Sequence, residues 1–127
     1  MPSHHRQNET TAVQIVLGSV ILNGWLGKST TAQDLITLLP LELTFRDFNN
    51  VEKIARLPRK LSLVGVPSGA DPEPGDIGYY APSGVIVFYY ADVGYFSGIV
   101  RLGQFDGSMD QIARQASDFT AMIRLAS

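Results

Sequence analysis

The stretch that decides the fold runs from Asp76 to Gly103: Asp-Ile-Gly-Tyr-Tyr-Ala-Pro-Ser-Gly-Val-Ile-Val-Phe-Tyr-Tyr-Ala-Asp-Val-Gly-Tyr-Phe-Ser-Gly-Ile-Val-Arg-Leu-Gly. It holds all five tyrosines of the chain and two of the six phenylalanines. Its β-branched and aromatic runs are cut by Pro82-Ser83-Gly84 and again by Asp92 and Gly94, the residue types that tight turns demand. The pattern predicts three strands joined by turns.

Outward from this centre the chain keeps the same character. Before it, two apolar segments between Ala12 and Trp25 flank Gly18-Ser19, a pair suited to a type II′ hairpin. Leu35, Ile36, Leu38 and Leu39 share one side of a short predicted helix over Ala32–Leu39, with Thr30 or Thr31 as the capping residue and Pro40 as its stop. From Leu41 to Asp47 the residues alternate, which places Leu41, Leu43 and Phe45 inward and Glu42, Thr44 and Arg46 outward. Asn49-Asn50 reads as a turn into a strand over Val51–Leu57, which Pro58 ends. The segment Val64–Gly75, with three prolines and three glycines, shows no periodicity and is expected to be a long loop, functional or mobile. After the centre, Ser108 can cap a short helix carrying Met109, Ile112, Ala113 and Ala116, and Ser117–Leu125 alternates as a last strand.

About eight strands with one short helix near each end predict a mainly β fold: a closed eight-stranded antiparallel barrel capped by two short helices. The expected organisation is a flexible tail over residues 1–11 and one barrel domain over 12–127.

Composition narrows the function by exclusion. Cysteine is absent, which removes thiol nucleophiles and thiolate metal sites; with no apolar leader among the first ten residues, a cytoplasmic protein is expected. Both histidines, His4 and His5, lie in the tail, so the body lacks the residue that Ser-His-Asp catalysis and most zinc sites need. No metal and no cofactor are expected. The net charge of −2 with 17% charged residues offers no basic stripe, so no nucleic-acid partner is expected. There is no transmembrane run, hence no membrane partner, and no heptad or other element that sets an oligomeric state.

Three groups of residues remain as candidate sites. Gly27-Lys28-Ser29 before a helix suggests a phosphate loop, but Leu22 stands where the motif needs its first glycine and Gly24 lies two residues too near. Arg46, Asp47, Glu52, Lys53 and Arg56 gather on two adjacent strands as a solvated charge ladder, in which Arg46 or Arg56 can also anchor a carboxylate, phosphate or carbonyl. In each Tyr-Tyr pair one ring is expected inside the barrel and the other outside, with Tyr80 and Tyr90 outward. Asp76 and Asp92 are expected to be turn formers.

Several ordered blocks resemble the bacterial cyclophilin-like proteins. They are Thr31–Phe45, then Glu52–Ala55 with Leu57–Ser62, and in the second half Gly75–Gly84, Asp92–Tyr95, Gly98 and Leu102-Gly103. The resemblance covers roughly Ala12 to Leu125 and implies the same eight-stranded barrel with two capping helices. The Phe-His-Arg and Gln-Gly-Gly words of the prolyl isomerases are absent, and Ser83 stands where many relatives carry a large aromatic such as Trp. The expected function is therefore cofactor-free binding of a small molecule or short peptide in an outer-wall groove edged by the Val64–Gly75 loop. Arg46, Arg56, Tyr80, Tyr90 and Tyr95 are its expected ligand contacts. The alternatives are a cofactor-free isomerase or cyclase, weak prolyl isomerisation included, and a purely structural module docking through its aromatic face.

Overall fold

The computed structural model describes residues 10–127; His4 and His5 and most of the expected tail lie outside that range. The chain forms β1 (Thr11–Leu17), β2 (Val20–Leu26), α1 (Thr30–Ile36), β3 (Leu41–Phe48), β4 (Glu52–Arg56), β5 (Gly69–Ala70), β6 (Asp76–Tyr80), β7 (Val85–Tyr89), β8 (Phe96–Ser97), β9 (Ile99–Phe105), α2 (Asp110–Ala113) and β10 (Phe119–Leu125). Eight of the strands close a barrel in the order β1-β10-β3-β4-β7-β6-β9-β2, every pair antiparallel. The two-residue β5 and β8 pair separately as a ribbon.

Local chemistry explains most of the elements. Leu17 pairs with Val20 across Gly18-Ser19, and Gly18 supplies the positive φ of 61° that the turn requires. Asn49 and Asn50 take φ values of 56° and 58°, a left-handed corner that asparagine tolerates better than most residues. Helix α1 begins two residues earlier than its apolar pattern suggests. Ser29 is the N-cap, accepting from the Ala32 amide at 3.1 Å, while the Thr31 hydroxyl donates to the Ser62 carbonyl. Asp34 then binds both guanidinium ends of Arg59, at 2.8 and 2.9 Å, and the Ser62 amide at 2.8 Å. Those bonds, the Arg59 pair first, hold the Asp34 carboxyl at about 2 and tie the segment after β4 to the helix.

The barrel interior is filled by apolar side chains from every wall, including Val13, Ile15, Leu43, Ile77, Tyr79, Ile86, Leu102 and Ile123. Phe45 stacks on Phe88 at 4.5 Å and on Phe119 at 5.4 Å, and Phe88 meets Phe105 edge-on at 4.9 Å. A second cluster lies on the outer wall: Ile54, Val85, Val87, Tyr89 and Ile99, with Ala70, Tyr80 and Val93 packed against it. Strand β7 is thus buried on both faces, because the Val64–Gly75 segment and the β7–β9 connection fold over it and pair as the β5–β8 ribbon. The second cluster also corrects the tyrosine reading. Ile86 and Phe88 face the interior, so Tyr89 is the outward ring of its pair, covered and 1% exposed, while Tyr90 lies past the strand end.

The barrel closes through only three residue pairs, Gly24 with Phe105, Trp25 with Gln104 and Leu26 with Gly103. A Cβ on Gly103 would sit 1.9 Å from the Trp25 carbonyl oxygen, so no side chain fits there without parting the strands. Gly103→Ala is expected to cost about 3 kcal/mol in urea denaturation, as forced overpacking does. Gly27→Ala, whose nearest neighbour would be 3.5 Å away, is expected to cost less than about 1 kcal/mol. Equal losses in the two variants would show that the seam is not the constraint.

Candidate functional site

Strand β9 carries an irregularity that builds the site. Ile77 pairs with Gly103 but Gly78 pairs with Arg101, so Leu102 is the extra residue of a β-bulge. In a regular strand Arg101 and Gly103 would share one face. With the bulge, Val100, Leu102 and Phe105 all join the interior cluster, and Arg101 and Gln104 both point outward.

Between those two side chains stands Asp76, which is fully buried. Its Oδ2 accepts from Arg101 Nε at 2.6 Å and from the Glu73 amide at 2.9 Å. Its Oδ1 accepts from Gln104 Nε2 at 3.0 Å and Arg101 Nη2 at 3.3 Å. Asp76 is the turn former expected from its position, and it also fixes a guanidinium and an amide on the outer wall. The bond to Asp76 raises the Arg101 pKa above its ordinary value, so the group is a permanent cation.

Arg101 borders two adjoining cavities. One, of about 280 Å³, is lined by Trp25, Lys28, Ser29, Arg101 and Gln104 together with Gly27, Leu102 and Gly103. The other, of about 210 Å³, lies beside the Val64–Gly75 segment and is mostly apolar, with Val66, Pro67, Ala70, Ile99 and Val100 among its lining. Ser29 and Arg101 belong to both, so the two form one groove with a polar and an apolar lobe. Val66, Pro67, Gly69 and Ala70 bring the Val64–Gly75 segment to the edge of the second cavity.

The residues singled out from sequence fall in three places. Register aligns Arg46, Ile54, Val87, Gly78 and Arg101 in one outward row, with Arg46 and Arg101 at its two ends. A second row holds Arg56, Val85, Tyr80 and Ile99, and Tyr80 lies 6.1 Å from the Phe96 ring. Tyr95, 64% exposed, rests its ring against Gly69 beside the apolar lobe. Tyr80 and Tyr95 therefore flank the groove, Arg46 and Arg56 lie across the wall from it, and none of the four lines either lobe.

Tyr90 belongs to a separate cluster at the barrel mouth. Its hydroxyl donates to Asp47 Oδ1 at 2.5 Å, and the same oxygen lies 3.1 Å from Lys53 Nζ. Lys53 is 2% exposed and donates to the Gln115 carbonyl at 2.6 Å, clamping the segment after α2 onto β4. The expected charge ladder is thus split: Asp47 and Lys53 turn to the mouth, and Arg46, Glu52 and Arg56 stay on the outer face. Burial and the Asp47 contact push the Tyr90 phenol up to about 12. Burial likewise raises Glu52 and, further, Tyr89, yet neither lines the groove. Among the described residues no group of three or more His, Cys, Asp or Glu side chains could hold a metal ion, and no helix is long and apolar enough to cross a membrane.

Sequence reasoning missed Arg101, Gln104 and Trp25. The available signal was a lone charge, Arg101, inside the apolar run Ile99–Phe105, matched by a lone acid opening Asp76–Tyr80.

The chain is thus a closed antiparallel barrel with two adjoining cavities beside β9. The chain belongs to the cyclophilin-like family, whose model matches residues 15–124. Its fold is similar to the solution structure of a hypothetical protein from Archaeoglobus fulgidus, with a TM-score of 0.72 and 16% identity over 93% of this chain and 96% of that one. No curated protein sequence matches the chain.

Two outcomes follow from this geometry. Arg101→Met strands a buried carboxylate and is expected to cost about 3 kcal/mol in urea denaturation, most of it recovered in the double variant with Asp76→Asn. A double variant no more stable than the single one would mean that Arg101 contributes by packing alone. For Tyr90, a phenol raised in the folded state stabilises below its unfolded pKa of 10.0, and that contribution fades as pH rises toward about 12. Tyr90→Phe is therefore expected to flatten the alkaline fall in Tm relative to the wild type; parallel curves would reject the assignment.

Proposed function

We propose that this domain is a cofactor-free binding module that holds a small molecule or the end of a short peptide in the two-lobed groove beside β9. The observation that carries this reading is Arg101, a cation fixed by a buried carboxylate at the junction of a polar and an apolar cavity. Such a cleft, largely preformed and with few convergent polar groups, is the usual form of a small-ligand site. In this reading Arg101 takes the anchoring role expected of Arg46 or Arg56. Tyr80 and Tyr95 supply aromatic walls at the outer edge, and Arg46 and Arg56 are left for a ligand long enough to run along the wall. The carboxyl and phenol groups whose pKa values are displaced upward, Glu52, Tyr89 and Tyr90, stand outside the groove lining, which favours binding over acid–base chemistry there.

A thermal-shift screen against metabolites and short peptides tests the reading, since a ligand at about a hundred times its Kd adds about 2.7 kcal/mol and raises Tm by several degrees. Hits are expected to move the backbone amide resonances of Ser29 and Arg101, the residues common to both lobes. Hits that instead move Arg46, Arg56 and Val85 while leaving Ser29 and Arg101 unchanged would transfer the site to the far side of the wall.

A further inference from the structure

The geometry points to an amphiphilic carboxylate as the ligand of this groove, its two oxygens on the free edge of Arg101 and its apolar body in the lobe lined by Val66, Pro67, Ala70 and Ile99. This inference rests on the binding reading above and names the ligand class. The argument begins with how Arg101 is used. A guanidinium offers two edges, and Asp76 occupies the side-on one, Nε with Nη2. The end-on edge, Nη1 with the outer face of Nη2, makes no hydrogen bond among the described residues: the Glu73 Oε1 lies 3.8 Å from Nη2, beyond hydrogen-bond reach, and Asp71 acts on the guanidinium only through its charge. Glu73 is 69% exposed in its side chain, so that ion pair is a weak surface contact. A carboxylate entering from the groove can take the edge that Glu73 holds loosely, forming two parallel N–H···O bonds.

The rest of the polar lobe has the matching character. No aspartate or glutamate is in its lining. Lys28 stands at the rim and pairs with no carboxylate of the described residues. The Ser29 oxygen accepts from the Ala32 amide, which leaves its own proton to donate. Donors therefore converge on a cavity without a lining acid. On the other side of Arg101 the lining turns apolar within one side chain, so a ligand with a charged head and a hydrocarbon or aromatic body fits both lobes at once.

The test uses the full chain, ¹⁵N-labelled, titrated with four probes: hexanoate, hexanamide, the peptide acetyl-Ala-Ala-Leu with a free C-terminal carboxylate, and the same peptide as its C-terminal amide. At least one acid is expected to move the Ser29, Ala70, Ile99 and Arg101 amides and to bind about tenfold tighter than its own amide. Which acid does so distinguishes a free small acid from a peptide terminus. Glu73→Gln, a substitution at an exposed side chain, is expected to tighten the acid about threefold and leave the amide unchanged, and Lys28→Met to weaken it by a similar factor. Arg101→Lys keeps the charge opposite Asp76 but loses the fork, and is expected to remove the preference for acid over amide. Acid and amide binding equally in the wild type would overturn the carboxylate inference and leave the groove reading standing. Failure of all four probes to move these amides would overturn both.

Discussion

The close approach of β2 and β9 is the constraint on which the rest of the structure depends. A barrel of eight strands must join its last edge to its first, and here three residue pairs do so, at a point where only glycine fits beside the Trp25 carbonyl. The seam sits next to the Leu102 bulge, and the two act together. The bulge lets both Arg101 and Gln104 face outward; the seam carries Trp25, and the turn after β2 carries Lys28 and Ser29, to the same place. Closing the fold and assembling the groove are in this chain one structural event.

The buried carboxylate of Asp76 turns that arrangement into a fixed one. An aspartate without solvent is costly unless charge and hydrogen bonds surround it, and Asp76 has a guanidinium, an amide side chain and a backbone amide. Those same bonds remove most of the freedom of Arg101 and Gln104, and so lower the entropy cost of the binding proposed for them. The cyclophilin-like fold itself implies no particular chemistry.

Much of the barrel was legible because its strands obey simple periodicities. Leu41 to Phe45 alternates and is buried as it alternates, and Gly18-Ser19 and Asn49-Asn50 carry turn chemistry that admits few alternatives. What was hidden depends on partners distant in sequence. Thr30 and Thr31 read as the caps, but the Ser62 carbonyl claims the Thr31 hydroxyl and Ser29 caps the helix instead. Lys53 reads as one rung of a surface ladder until the Gln115 carbonyl and Asp47 enclose its ammonium. Tyr89 and Tyr90 cannot be assigned to faces by alternation alone, since the outer wall is itself covered. Arg101 and Gln104 escaped notice for a like reason: the bulge sets two residues three apart on one face, against the two-residue period of a strand.

The β5–β8 ribbon adds one more property. It lies over the barrel wall without being part of the closed ladder, joined to itself by two residue pairs and to the wall by side-chain packing and a few loop bonds. Val66, Pro67 and Ala70, which shape the apolar lobe, therefore sit in a segment whose backbone closes no strand pair of the barrel. The apolar lobe can therefore be reshaped, by evolution or in the laboratory, apart from the seam and the Arg101–Asp76 pair on which the barrel depends.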